Sequence, residues 1–137
     1  MRIVIDTNVL ISAIFWTGKP KLLLNMVRHG KLALLSSEIL LGELKEVFMR
    51  EDKPFRLSLE EADRIVTAIR DLAQIVQTDS HLTACQDEND NRVLECAMDG
   101  GAEFIISGDL HLLQLKSVNK ARIVTVADFL NILKRRG

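Results

Sequence analysis

Four acidic residues stand where this sequence could do chemistry. Asp6 closes the apolar run "RIVI" (2–5), and Asp109 follows "EFIIS" (103–107) through Gly108. Glu43 lies three residues after Leu40 and four before Val47, inside the apolar stripe of a helix expected over 37–50. Asp90 lies three and four residues before Val93 and Leu94, on the inward stripe of a helix opening with "DEND". Each has a plainer reading. Asp6 and Asp109 are favoured helix N-caps, Asp87 and Asp90 could both serve the first turn and its dipole, and Glu43 could reach water from the edge of its stripe. We assign the cap to Asp87 and point Asp90 into the site.

Taken together the four weigh more than singly. Two carboxylates ~6 Å apart repel by about 3 kcal/mol at an effective dielectric of 20. Four in one place must protonate, splay or bind cations. All are hard oxygen donors, which selects Mg²⁺ or Mn²⁺ over zinc or copper. Thr7, Asn8, Asn91 and Ser107 are the polar neighbours that could orient such ligands from behind. A pair of such ions ~3.5–4 Å apart activates a water and steadies a leaving oxygen, so the natural reaction is phosphodiester hydrolysis.

Such a cluster needs strands that end together. Apolar runs at 2–5, 31–36, 74–78, 103–107 and 122–126 alternate with helical stretches at 7–15, 18–30, 37–50, 58–73, 87–100 and 127–136. Ser58 and Glu61 form a capping box for the fourth helix, and Gly30 stops the second. Strands alternating with helices imply an α/β domain with a mainly parallel sheet, and solid apolar strands imply cover on both faces. Ligands in such sheets bind beyond the carboxyl ends of the strands, near the switch in strand order. Asp6 and Asp109 are placed there.

Composition narrows the function. The 137 residues suit one domain over 1–137, with Pro20 and Pro54 the only prolines and no linker or repeat. A net charge of −1 gives no global field for nucleic acid, so a polyanion needs a local basic patch or a metal. Cys85 and Cys96 make no disulfide framework and read as reduced thiols of a cytoplasmic protein. "MRIVIDTN" is not a signal peptide, and no apolar run reaches the ~20 residues that cross a bilayer.

With these motifs in hand, the chain resembles the PIN-domain proteins of the VapC-like ribonuclease group. "IVIDTNVLISA" is similar to that family's opening strand and first acidic residue, "SSEILLGELKEVF" to its second motif with Glu43 in the acidic position. "DENDNRVLECAMDGGAEFIISGDLHLLQL" is similar to the third and fourth motifs, with Asp90 and Asp109 in the acidic positions and Asn91 and Ser107 as their polar companions. The resemblance runs from Met1 to about Phe129. It implies a three-layer α/β/α domain with a five-stranded sheet in order 3-2-1-4-5. It implies Mg²⁺- or Mn²⁺-dependent endoribonuclease activity on single-stranded RNA, a homodimer or higher homo-oligomer, and for toxin members an antitoxin that plugs the site. Many relatives carry a further Asp where this chain has His111; an auxiliary ligand there would bear on metal affinity or preference, and the plainer reading is an exposed His at a helix start.

The path of a substrate is less marked. Lys19, Lys21, Arg28, Arg56, Arg92 and "LKRR" (133–136) are cations that could meet RNA, Arg92 because it follows the acidic cluster directly. Each also reads as a solvated helix face. Trp16 is assigned to an interface or the core ahead of base stacking, and His29 and His81 lack partners at metal-ligand spacing. Two other functions fit the layout. One is a PIN-fold platform that binds RNA or protein without turnover. The other is a phosphoacceptor receiver using Asp79, for which "RIVTVADF" lacks the required lysine.

Overall fold

The computed structural model describes residues 1–136 and shows how apolar alternation builds the layers. In strand β1 (Arg2–Ile5), Ile3 and Ile5 join one core cluster and Val4 the other. Strand β4 (Phe104–Ile106) repeats this, with Phe104 and Ile106 on the first face and Ile105 on the second. A strand buried on both faces must be apolar at every position, which is why these segments read as unbroken runs.

Helices cover both faces. On the first lie α1 (Thr7–Phe15), α2 (Lys19–Arg28), α3 (Glu38–Phe48), α4 (Leu59–Leu72) and α7 (Val126–Arg136), through side chains such as Leu10, Leu24, Leu44, Val66 and Phe129. On the second lie α5 (Glu88–Gly100) and α6 (Leu110–Leu115), through Val93, Leu94, Ala97 and Leu112. The result is a three-layer α/β/α arrangement.

The remaining strands are β2 (Ala33–Ser36), β3 (Gln74–Ile75), β5 (Ser117–Val118) and β6 (Ala121–Val124). The sheet order is β3-β2-β1-β4-β6-β5. Five strands are parallel, in the expected order, with Val4 opposite Leu35 on one side and Ile105 on the other. The sixth is a correction. β5 pairs antiparallel with β6 through a turn at Asn119 and Lys120, with Asn119 at φ 52°. Asn is among the few residues that accept such a turn. β3 is also shorter than the expected 74–78, and both its residues are exposed at the sheet edge. Gly101 ends α5 in the left-handed region at φ 67°, a conformation a side chain would strain.

Strand order reverses beside β1: the chain moves outward to β2 and β3, then returns to β4 on the other flank. Asp6 follows β1 and Asp109 follows β4, so the two flank the switch point.

Candidate active site

The acids converge through helix starts. Asp6 is the N-cap of α1, accepting from the Val9 amide at 3.0 Å. Asp109 caps α6, accepting from the His111 amide at 2.7 Å. Asp87 caps α5, accepting from the Asn89 amide at 2.8 Å. Capping and site-building are therefore not alternatives. Each aspartate uses an oxygen on its own helix, and the positive helix ends moderate the gathered charge. Asp90 sits in the first turn of α5, and Glu43 reaches the same place from the middle of α3.

Asp6, Glu43, Asp87, Asp90 and Asp109 line one cavity of ≈ 230 Å³, with Thr7, Asn8 and Asn89 beside them. None of these acids forms an ion pair among the described residues; Lys45, Arg56, Arg70 and Arg92 pair with Asp63, Glu51, Glu38, Glu88 and Glu95 instead. Burial pushes the Asp90 carboxyl up to about 6, with Asp109 and Asp87 adding to the rise. Burial also raises Glu43, assisted by Asp87, Asp6 and Asp90 and opposed by a hydrogen bond with Thr7. Asp6 is raised by burial and by Asp109, against hydrogen bonds from Ser107 and the Val9 amide.

Ser107 is fully buried behind the pair of strand ends. Its hydroxyl donates to Asp6 Oδ2 and accepts from the Asp109 amide at 3.0 Å. Among the described residues no three acids are already drawn to a point that cages an ion; they surround a space. The donors are all oxygen and form no ion pair among the described residues, and burial, helped by neighbouring carboxylates, disfavours the charged forms of Asp6, Glu43 and Asp90. That set fits a hard divalent cation, which would replace the protons as counter-charge.

The structure sets several of the sequence candidates apart from the cavity. Asn91 is buried and bonded both ways to the Cys85 backbone, accepting from its amide and donating to its carbonyl, each at 2.8 Å. It fixes the approach to α5 and does not line the cavity. Arg92 is held at 2.8 Å by buried Glu95 and at 3.2 Å by Glu88, away from the cavity rim. The reason is rotational: successive helix residues point ~100° apart, so with Asp90 inward the next two turn to the preceding loop. Lys21 donates to the Ile14 carbonyl at 3.4 Å, and Lys19 faces a groove beside α7. Asp79 follows the edge strand and its amide donates to Asp99, apart from the acid cavity.

The structure also supplies cations that spacing did not reveal. Arg50 and Lys53 stand at the cavity rim on the segment joining α3 to α4. Phe55 anchors that segment, stacked on Phe15 at 4.6 Å and edge-on to Phe48 and Trp16. Trp16 thus covers an aromatic cluster, half of its surface remaining exposed. Only the position of Arg50 just after the Glu43 helix could have hinted at this rim.

Known proteins resemble this chain in sequence or in fold. Uncharacterized protein MJ1680 of Methanocaldococcus jannaschii is 32% identical over 124 residues, spanning 88% of this chain and 78% of that one. The crystal structure of PAE2754 from Pyrobaculum aerophilum superposes with a TM-score of 0.62 at 14% identity, over 98% of this chain and 90% of that one. That of VapBC2 from Rickettsia felis, bound to a DNA fragment from its promoter, gives 0.61 at 12% identity, over 90% and 97%. Residues 2–111 match the family model of the PIN domain, a span holding every acid from Asp6 to Asp109, and the chain belongs to the PIN-domain family.

Proposed function

We propose that this protein is a Mg²⁺- or Mn²⁺-dependent endoribonuclease that hydrolyses phosphodiester bonds of single-stranded RNA, working as the toxin component of a toxin–antitoxin pair. The observation that carries the reading is the cavity at the switch point: five acids from four parts of the chain, with no ion pair among the described residues and two cations at its rim.

Asp6, Glu43, Asp90 and Asp109 would hold the metal. When bound, the metal supplies Lewis-acid polarisation of the phosphate and a nucleophile at neutral pH. The chain does the positioning. Ser107 fixes the Asp6 carboxylate and the start of α6 in one arrangement. Thr7 holds Glu43. Arg50 and Lys53 offset the charge of the approaching phosphate, which the acids alone would repel. Among the described residues neither a serine nor a cysteine lines the acid cavity, and burial raises the Cys85 thiol.

The similarity in fold to VapBC2 supports an antitoxin as partner here, and self-association is proposed beside it. The test is cleavage of a mixed RNA pool by purified protein with and without added Mn²⁺, with Asp6→Asn as control. Metal-dependent cleavage lost in the variant is the expected result. Equal cleavage by both proteins rejects the assignment.

A further inference from the structure

The acid cavity is not the last hollow on this face. Beyond Asp87 and Asp90, which belong to both, a second one of ≈ 550 Å³ opens between the approach to α5 and helix α6. Gln86, His111 and Gln114 stand around it with Leu115, and all four are exposed.

Its chemistry differs from that of its neighbour. Neither lysine nor arginine lines it, and its inner wall is the Asp87–Asp90 pair. A phosphate entering there would meet like charge with nothing to offset it. A flat, neutral group with donors and acceptors on its edge would meet two carboxamides, an imidazole and an apolar leucine. Among single-stranded RNA components that group is the base, whose edges are open once it is unstacked. A third hollow beside Asp6 and Asp109, of ≈ 350 Å³, offers Asn8 and Ser12 with Val9 and Pro20, fewer neutral groups able to read an edge.

The geometry points to a nucleobase subsite formed by Gln86, His111 and Gln114. With the scissile phosphate in the acid cavity, between the acids and the Arg50–Lys53 rim, the adjoining nucleotide turns its base across Asp87 and Asp90 into this hollow. His111 then serves the substrate. The inference rests on the ribonuclease reading and deepens it.

The test walks a single abasic site across the cleaved bond of an oligoribonucleotide, using the full chain with Mn²⁺. One position beside the bond should raise KM about tenfold or more, the scale of one stacked or bonded base, with kcat little changed. The double variant Gln86→Ala, Gln114→Ala should raise KM for intact RNA by the same factor and lose the penalty at that position. His111→Ala gives a second variant with the same expected direction if the double one fails to fold. Intact cleavage with equal KM at every abasic position overturns the subsite and leaves the ribonuclease reading standing. Absence of both cleavage and RNA binding, followed by fluorescence anisotropy, overturns the two together.

Discussion

Ser107 joins the two strand ends of the acid cavity with one oxygen: its hydroxyl donates to Asp6 and accepts the amide of Asp109. Ser107→Ala removes both bonds in a fully buried place. Groups that orient ligands are worth 10–100-fold in metal affinity or activity. We expect Mn²⁺ affinity, measured by calorimetry, and cleavage to fall by about that factor while the far-ultraviolet circular dichroism is kept. Unchanged affinity contradicts the role.

The acids themselves should trade stability for function. Asp6→Asn and Asp109→Asn should each abolish cleavage with the fold retained. Asp90→Asn should also be inactive, yet more stable than the parent at pH 7 in EDTA, because it removes one member of a repelling set. A lower Tm for Asp90→Asn under those conditions refutes the account of its environment.

A pH dependence follows from the same groups. The folded Asp90 carboxyl titrates at about 6 against an ordinary 3.8. The native state therefore holds this proton more tightly than the unfolded chain. The contribution is fully present below about 4 and is lost as pH rises through 6. Asp6 and Glu43 are raised too and act in the same direction. Glu38, Glu61 and Asp99 are lowered, so their contributions are lost only as pH falls below the ordinary carboxylate range. Metal-free protein should then lose several degrees of Tm between pH 5 and 7, read by scanning calorimetry, and Asp90→Asn should flatten the slope. Saturating Mn²⁺ at pH 7 should restore it; at 100 times the Kd this is worth about 2.7 kcal/mol.

At the rim, Arg50→Ala with Lys53→Ala should raise KM more than it lowers kcat. The pair should also reduce the salt slope of RNA binding, by roughly 0.7 for each phosphate that is no longer neutralised. Phe55→Ala should move KM in the same direction without touching a charge, by freeing the segment stacked on Phe15. Binding measured from 50 to 200 mM salt decides the first; an unchanged slope argues against any role of the rim in holding phosphate.

Ion pairs separate by burial. Glu95 is 4% exposed and its partner Arg92 15%, whereas Lys45 and Asp63 are 38% and 53% exposed. Glu95→Ala leaves Arg92 with only the exposed Glu88 as counter-charge and strips the Leu82 amide of its acceptor, and should cost about 3 kcal/mol in urea unfolding. Asp63→Ala should cost under about 1 kcal/mol. Similar values for the two would show that Arg92 finds water once released.

Much of this is legible in the chain. Unbroken apolar runs mark the parallel strands because both faces are covered, and Glu43 stands out because its helix stripe is otherwise apolar. What escapes depends on groups far apart in sequence. Arg50 and Lys53 line the cavity on a segment whose Phe55 stacks on the distant Phe15. β5 has two residues and exists through a turn that Asn119 permits. Asn91 and Arg92 read as site residues by adjacency, whereas the helix turns them to the other side.

That other side has a consequence of its own. Asn91, Glu95 and Asp99 recur every fourth residue along α5 and grip Cys85, Leu82, and Asp79 with Ser80 in turn. A stretch lacking any sheet ladder is thereby zipped to the helix that presents Asp90. Backbone opening there must unfasten carboxylate and carboxamide clasps, so amide exchange along 79–85 should report on the registration of Asp90 itself.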